Sequence, residues 1–358
     1  MIKIVLIMLM HSVQLSFAAH TVVEYEDINT ATAAVNRIAG YLMDAQIIED
    51  SSLRGSWPQE SVYTGTTMAG MLGAYRVTQN GDYLLSANAA ASFIAKQVAN
   101  TTDLTHCPVQ VSADESFAFA RTGMEWVTIG FYESVHRCSG TQLFLSEFDK
   151  TDPSIATFSL AHHTIAAYQV DAHDKTMFRQ SLIRSLSRVD DNTAGFPVLA
   201  LGAAIWALAQ TGPLDSTPVD DYPVALGMWK GIKLHSLRSI LLDQQVPSNQ
   251  EFGGSFYTRF DHSSGGLDVY KHGYVDEAVY CTLGLIAAYN YDPNTHTAGT
   301  HQCIEISKNV LLTGISENGV VHEHLMPVGE VRYMFGGRII QALEAWIELA
   351  ESELDSLS

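Results

Sequence analysis

Residues able to do acid–base chemistry are clustered in one short stretch of the chain, between positions 256 and 277. Residues 256–262 have the sequence Phe-Tyr-Thr-Arg-Phe-Asp-His, and a tyrosine, a lysine and a histidine follow at 270–272. This density of titratable side chains is typical of a catalytic site, because catalysis needs proton donors and acceptors beside charged groups. We therefore predict that this stretch forms part of an active site.

One chemistry that these residue types allow is β-elimination from a uronate sugar. In this reaction an arginine or a calcium ion neutralises the substrate carboxylate, which makes the neighbouring C–H more acidic. A base then removes the proton from that carbon. Arg259 and Arg121 are the candidate cations. The candidate bases are His272 and His162. The candidate proton donors to the leaving oxygen are Tyr257 and Tyr280.

Glycoside hydrolysis is the competing chemistry, and it needs two carboxyl groups, one protonated as the acid and one that activates water. The candidates are Glu60 and two adjacent pairs, Asp114 with Glu115 and Asp276 with Glu277. Each pair opens a predicted helix, where acidic residues also stabilise the helix start without any catalytic role. The sequence leaves both roles open for each pair.

Aromatic residues in the predicted loops offer flat surfaces on which sugars stack. The same residues would also serve as apolar plugs that fix the loops to the core. With nearby polar groups they make up the predicted substrate-binding set: Trp57, Glu60, Tyr63, Arg121, Phe256, Tyr270, Tyr274 and Arg332.

The elements that position these residues are predicted to be helices, because apolar residues recur with helical spacing along nearly the whole chain. Strand patterns are confined to short pieces such as 319–321. The sequence therefore predicts an all-α protein. Its twelve helices cover residues 28–48, 64–78, 82–98, 115–134, 140–147, 154–171, 174–188, 197–211, 224–245, 274–290, 298–313 and 335–353.

The predicted helices alternate between two kinds. Every second one, such as 64–78 and 197–211, is apolar around most of its circumference, and its partner is amphipathic. Six buried helices alternating with six half-exposed ones describe an (α/α)6 toroid. Long loops precede the buried helices, so they lie together on one rim, and long loops without secondary structure are usually functional.

Two stretches share a local pattern. Gly-Ser-Trp-Pro at 55–58 precedes Tyr-Thr-Gly at 63–65, and Gly-Gly-Ser-Phe-Tyr at 253–257 precedes Tyr-Val-Asp-Glu-Ala at 274–278. A glycine–aromatic turn before an inner helix resembles the repeat of the α/α-toroid group, over residues 28–353. That group includes terpenoid cyclases, prenyltransferase β subunits, secreted polysaccharide lyases and glycoside hydrolases. The resemblance implies a toroid with a carbohydrate-active function.

The first two members of that group are excluded by their motifs. A terpenoid cyclase needs an Asp-x-Asp-Asp acid or an aspartate-rich magnesium motif, and the doublets at 190–191 and 220–221 extend to neither. A prenyltransferase-like zinc site needs Asp, Cys and His together, but Asp276 and Cys281 are five residues apart and do not share a helix face. A polysaccharide lyase is therefore the predicted function, with a glycoside hydrolase or a non-catalytic glycan- or peptide-binding toroid as alternatives.

Composition limits the partners further. The chain has 39 Asp+Glu against 20 Lys+Arg, a formal charge of −19, which argues against nucleic acid and anionic membranes as partners. The partner is predicted to be a polysaccharide or oligosaccharide, with calcium as the one candidate cofactor and no membrane insertion. The sequence does not determine the oligomeric state.

The first eighteen residues have the pattern of a cleaved signal peptide, with a basic start, an apolar stretch and Ser-Phe-Ala at 16–18. We therefore predict a secreted or periplasmic protein with one toroid domain over 19–358. The four cysteines have no CxxC spacing. In an oxidising compartment the expected pairs are Cys107–Cys138 and Cys281–Cys303, with free buried thiols as the alternative.

Overall fold

The computed structural model describes residues 24–100, 141–189, 196–212, 234–260, 272–291 and 298–357. Within these ranges the regular structure consists of α-helices, two short 3-10 turns (Ser61–Tyr63 and Leu234–Ser236) and isolated β-bridges. The helices are α1 (Tyr25–Ala45), α2 (Thr64–Thr78), α3 (Gly81–Asn100), α4 (Thr141–Phe148), α5 (Pro153–Gln169), α6 (Lys175–Ser187), α7 (Val198–Thr211), α8 (Leu237–Leu242), α9 (Val275–Tyr291), α10 (Ala298–Thr313) and α11 (Tyr333–Leu357).

The prediction of an all-α protein is confirmed. Most predicted helices agree with the structure to within a few residues, including the short one at Thr141–Phe148. Of the helix predicted at 224–245, residues 224–233 lie outside the described ranges. The remainder is the 3-10 turn Leu234–Ser236 followed by α8, which ends at Leu242 because the chain turns at 243–245. The predicted helix 115–134 and the signal peptide 1–18 lie outside the described residues.

The buried helices form consecutive neighbours around the molecule. Helix α5 packs on α7, α7 on α9, α9 on α11, and α11 on α2. In α2 every residue from Thr64 to Ala74 is buried, and α7 is buried along almost its whole length. A helix that is apolar on all sides must be enclosed by other helices, which explains why these five line the interior.

Glycines set the closest approaches within this inner ring. A Cβ atom on Gly284 of α9 would lie 2.5 Å from the carbonyl oxygen of Gly202 on α7. Likewise, a Cβ on Gly70 of α2 would lie 2.4 Å from the Cα of Gly337 on α11. No larger residue fits at these crossings, so the glycines let the inner helices touch backbone to backbone.

The remaining helices form the outer layer. Helix α3 packs on α2, α6 on α5, α8 on α7 and α9, and α10 on α9 and α11. Helix α1 covers the seam between α11 and α2, which are the last and the first inner helices of the chain. None of the helices in the described part of the chain is long and apolar enough to cross a membrane.

The repeated glycine–aromatic pattern forms the same local structure twice. In the first copy, the Gln46 side chain donates to the carbonyls of Gly55 (2.9 Å) and Ser86 (3.0 Å). In the second, Gln245 donates to the carbonyls of Gly254 and Cys303, both at 3.0 Å. Each glutamine thus joins the end of an outer helix to its loop and to the next outer helix.

The glycine of each copy has a backbone conformation that side chains disfavour. Gly55 and Gly254 have φ angles of +97° and +99°. A Cβ on Gly55 would meet the Ala89 carbonyl oxygen at 2.2 Å, and one on Gly254 would meet the Ile306 side chain at the same distance. Ala89 and Ile306 belong to α3 and α10, so both glycines seat their loop against the following outer helix.

The loops before the inner helices meet on one rim, as predicted. Isolated β-bridges join Pro197 to Arg259, Tyr257 to His272, and Tyr274 to His324. The backbone N–H of Val275, the first residue of α9, donates to the carbonyl of Glu323 at 3.0 Å. These bonds hold the loop residues against the N-terminal ends of α7 and α9.

The predicted disulfide between Cys281 and Cys303 is wrong, because both thiols are free. Cys281 is buried on α9 and points towards α7, where its sulfur lies 3.7 Å from the carbonyl oxygen of Val198. Cys303 lies on α10, which packs against a different side of α9. Cys107 and Cys138 lie outside the described residues.

Candidate functional site

A cavity of about 300 Å³ opens at the rim where the inner helices begin. Its walls come from the starts of α7, α9 and α11, from the loop before α9, and from the hairpin at 315–331 before α11. The lining residues are Pro197, Leu199, Thr258, Arg259, Tyr274, Asp276, Glu277, Glu323 and Phe335. Four of the predicted site residues therefore share one cavity: Arg259, Tyr274, Asp276 and Glu277.

Glu277 is the most perturbed acid of this cavity. Only 7% of its surface is exposed, although it lies in the first turn of α9. Burial raises the pKa of Glu277 to about 8, and the negative charges of Asp276 and Glu323 act in the same direction. At neutral pH the side chain therefore holds a proton, which is the state that a general acid needs.

Asp276 has a different environment, although it is the next residue. Its side chain is 28% exposed, and Oδ1 lies 2.5 Å from Nη1 of Arg338, which projects from α11. An arginine at this distance forms an ion pair with the carboxylate. The two adjacent carboxyl groups thus have different surroundings, because Glu277 is buried and Asp276 is paired with a cation. Such an asymmetry is typical of acid–base catalysis.

Arg259 supplies a positive charge at the entrance of the cavity. The residue is exposed and forms no ion pair with any residue in the described ranges. Its backbone is fixed, because Arg259 bridges to Pro197 and the neighbouring Thr258 carbonyl accepts a hydrogen bond from Val198 N–H at 3.1 Å. An exposed guanidinium without an acidic partner among the described residues is suited to binding an anionic group of a ligand.

His162 and Tyr280 come together in the interior rather than in the cavity wall. The His162 Nε2 atom lies 3.2 Å from the Tyr280 hydroxyl, and Nδ1 lies 3.0 Å from the Phe158 carbonyl oxygen. A carbonyl only accepts, so Nδ1 carries the proton and Nε2 of the neutral ring accepts from the tyrosine. Both residues are buried.

Tyr257 and His272 form a second pair beside the cavity. Their ring centres are 5.9 Å apart, and the two residues are bridged through their backbones. Burial lowers the pKa of His272, which keeps the imidazole neutral at pH 7 and able to accept a proton. Neither residue lines the cavity, so the structure brings this predicted base near the site but not into it.

Trp57 and Phe256 are not sugar platforms. They are 1% and 0% exposed, and both belong to the hydrophobic core. The Trp57 indole N–H donates to the Leu42 carbonyl at 2.8 Å, which anchors the loop to the end of α1. Their enclosure favours the alternative that both rings fix their loops to the core.

Glu60 caps a helix instead of facing a substrate. Its two carboxylate oxygens accept hydrogen bonds from the backbone N–H groups of Tyr333 and Met334, each at 3.0 Å, at the start of α11. Burial raises the pKa of this acid, while the two N–H donors act in the opposite direction. Both oxygens are engaged by the backbone, which favours a capping role for Glu60 over substrate binding.

We expect Glu60→Gln to lower the free energy of unfolding by about 0.5–2 kcal/mol, because an amide has one oxygen to offer the two N–H groups. Urea denaturation would measure the change. The control is Glu49→Gln, which makes the same substitution on an exposed loop residue. A rise in KM with unchanged stability would contradict the capping role.

Two other predicted binding residues, Arg332 and Tyr63, do not line the cavity. Arg332 donates to Glu330 at 2.7 Å on the rim, and Tyr63 is half-buried against the core. Asp114, Glu115, Arg121 and Tyr270 lie outside the described residues.

Two residues of the site were not predicted from the sequence. Glu323 lies in a hairpin among residues of mixed character, and Arg338 lies within the apolar helix α11. A lone arginine in an apolar helix indicates a buried ion pair. Burial of an unpaired charge costs too much free energy, so an acidic partner must lie nearby in the fold. The sequence alone does not identify that partner.

In the described ranges no set of three or more His, Cys, Asp or Glu side chains is arranged to hold a metal ion. The calcium requirement therefore stays a prediction. Three carboxyl groups do face the cavity, but Asp276 is engaged by Arg338 and Glu277 is protonated at neutral pH.

No protein-family model and no curated protein matches the sequence. Solved structures match its fold. A glycosyl hydrolase of family 88 from Bacteroides vulgatus aligns with a TM-score of 0.61 and 12% identity, over 90% of this chain and 99% of that one. A polysaccharide lyase aligns with a TM-score of 0.58 and 14% identity, over 91% and 98%.

A third similar structure is an unsaturated glucuronyl hydrolase from a Bacillus species. It aligns with a TM-score of 0.56 and 10% identity, over 88% of this chain and 95% of that chain. Identities this low establish the fold, whereas function depends on the residues of the site. The chain therefore has the α/α-toroid fold that the glycine–aromatic repeat predicted.

Proposed function

We propose that the protein is a glycoside hydrolase that acts on an acidic, uronate-containing saccharide. The observation that carries the proposal is the pair at the start of α9, where Glu277 is protonated at neutral pH and Asp276 is paired with Arg338. A glycosidase needs one carboxylic acid and one carboxylate in the same cavity.

In this mechanism Glu277 donates its proton to the glycosidic oxygen as the bond to the leaving sugar breaks. Positive charge then develops on the sugar ring, and the Asp276 carboxylate stabilises it or activates the attacking water. Water adds to the sugar and gives one proton to the Asp276 carboxylate, which returns it to solvent, and Glu277 is reprotonated from solvent.

The acidic nature of the substrate is inferred from Arg259. Its exposed guanidinium has no carboxylate partner in the part of the chain that the structure describes, and it lines the cavity that holds the two acids. A uronate carboxylate is planar and suited to a two-point hydrogen bond with such a group. A neutral sugar would leave this positive charge without a function.

β-Elimination is the second candidate, and it uses the same arginine. It also needs a base that reaches the sugar, but His162 and Tyr280 are buried, and His272 lies outside the cavity wall. The cavity offers acids instead, which favours hydrolysis. Similar structures include both a hydrolase and a lyase, so the fold does not choose between them.

Incubation with oligosaccharides of pectate, alginate and glucuronan, beside neutral mannan and cellulose fragments, tests the proposal. We expect acidic oligosaccharides to be cut with uptake of one water, detected by mass spectrometry. Products that absorb in the ultraviolet without water uptake would replace hydrolysis by elimination. Binding without any cleavage would leave a glycan-binding protein and overturn the enzyme proposal.

Arg259→Met should raise KM for the acidic substrate about 10- to 100-fold, because a hydrogen bond to a charged group contributes about 1.5–3 kcal/mol. The same variant should not change KM for the substrate whose carboxyl group has been reduced to an alcohol. Arg259→Lys serves as the matched control and should retain part of the affinity. Equal losses on both substrates would contradict carboxylate recognition.

We also propose that the protein is exported, as residues 1–18 predict. Polysaccharide substrates are met outside the cell, so export and a glycan-cleaving activity fit together. N-terminal sequencing of the mature protein tests this, with cleavage after Ala18 as the expected result.

A further inference from the structure

Arg338 is a buried cation that connects two inner helices at the candidate site. The residue is 5% exposed and reaches from α11 to α9, where Nη1 lies 2.5 Å from Asp276 Oδ1. Its guanidinium carbon also lies 5.5 Å from the centre of the Tyr280 ring. Asp276 and Tyr280 are four residues apart on α9, so they share one helix face.

The aromatic ring beneath Arg338 is itself fixed. The Tyr280 hydroxyl is bound by His162 of α5 at 3.2 Å, and the ring packs edge-on against Phe158 at a centroid distance of 4.9 Å. Trp206 of α7 lies 6.3 Å away on another side. Four inner helices therefore contribute to the surroundings of one guanidinium: α5, α7, α9 and α11.

We propose that Arg338 is the positioning residue of the site, fixed on the Tyr280 ring so that it orients the Asp276 carboxylate towards the cavity. The inference rests on the proposed function. It assigns Arg338 a role that acts through Asp276, without contact between the arginine and the substrate.

The charges around the pair give this role a measurable consequence. Asp276 and Glu277 lie on α9 with the thiol of Cys281 one turn below, Glu323 faces them from the hairpin, and Arg259 lies at the entrance. His162 is the titratable group on α5. Of these groups, Arg338 alone is a buried cation in contact with Asp276 among the described residues.

Without Arg338 the Asp276 carboxylate would lose the cation that holds it in place, and its side chain would be free to turn away from the reacting sugar. Loss of an interaction made only in the transition state lowers kcat, whereas loss of ordinary substrate contacts raises KM. A small misplacement of a reacting group costs about 10²-fold in rate. We therefore expect Arg338→Met to reduce kcat by about that factor, with KM changed much less.

Arg338→Lys is the conservative control, since it keeps the charge but not the planar fork. We expect it to restore most of kcat. A merely structural arginine would give a different result, with both variants losing activity only in proportion to the unfolded fraction and with kcat per folded molecule unchanged. That outcome would overturn the proposal.

A double-mutant cycle tests the same contact without an activity assay. We expect Arg338→Met to lower the melting temperature by several degrees in the wild-type background and by less than half as much in an Asp276→Asn background. Equal decreases in melting temperature in both backgrounds would show that the two side chains do not interact, which would overturn the proposal. If the cycle succeeds while every saccharide remains uncut, the proposed function fails and the positioning contact stands. If Arg338→Met does not fold, Arg338→Lys supplies the same cycle.

Discussion

Replacing Glu277 by glutamine should reduce kcat/KM by about 10²- to 10⁴-fold, the contribution typical of a general acid. Glutamine keeps the size of the side chain but has no proton of suitable acidity to give to the leaving oxygen. The measurement is steady-state cleavage of the saccharide found in the substrate panel. Glu317→Gln, the same substitution at an exposed position of the loop before α11, should change the rate less than about twofold.

The pH dependence gives Glu277 a second signature. Its pKa of about 8 places the basic limb of the wild-type rate profile near pH 8, where the acid loses its proton. The remaining activity of Glu277→Gln should lack this limb. A variant that keeps both the wild-type rate and the basic limb would remove Glu277 from the mechanism.

Stability should change with pH in the direction set by the same group. A carboxyl whose pKa is raised from 4.5 to about 8 binds more protons in the folded state, so stability falls as pH rises between those values. Glu277→Gln, which cannot ionise, should melt at a higher temperature than the wild type at pH 9. The two proteins should differ little below pH 4.5.

The fold was accessible from the sequence because its signal is repeated. Helices such as α2 and α7 are apolar on every side, and each is followed by an amphipathic partner. A single apolar helix is compatible with many folds. A regular alternation of buried and amphipathic helices, with the long loops always before the buried ones, is compatible with few architectures. The described helix α8 ends three residues before the predicted end at 245, because the chain turns at 243–245.

The site was accessible in part. The adjacent acids Asp276 and Glu277 were predicted because they combine a helix start with the loop rich in ionisable groups. The sequence could not say which of the two is protonated, because that depends on Arg338 from another helix and on burial. Pairs formed across the fold are invisible in a single sequence.

The aromatic residues show a different limit. Trp57 and Tyr274 have the same kind of neighbours along the chain, since each precedes or opens an inner helix. Trp57 is completely enclosed, whereas Tyr274 is half-buried and lines the cavity. Residue type does not distinguish a plug from a platform, because both uses bury a large ring against apolar surface.

Trp57→Ala should lower the free energy of unfolding by about 3–5 kcal/mol, the cost of removing a large buried ring and leaving a cavity. Trp57→Phe fills most of the space but leaves the Leu42 carbonyl without the indole N–H, so a smaller loss of about 1–3 kcal/mol is expected. Leu85→Ala, at a residue of the neighbouring helix α3 that is 67% exposed, is the control and should change stability by less than about 0.5 kcal/mol.

Urea denaturation followed by tryptophan fluorescence or circular dichroism measures all three variants. The result also distinguishes the two roles that the sequence left open for Trp57. A sugar platform would lose affinity on truncation while its stability stayed the same. A plug that joins the loop to the end of α1 would lose stability first, and saccharide affinity would fall only as the folded fraction falls. We expect the second result, because the indole ring has no surface left for a sugar.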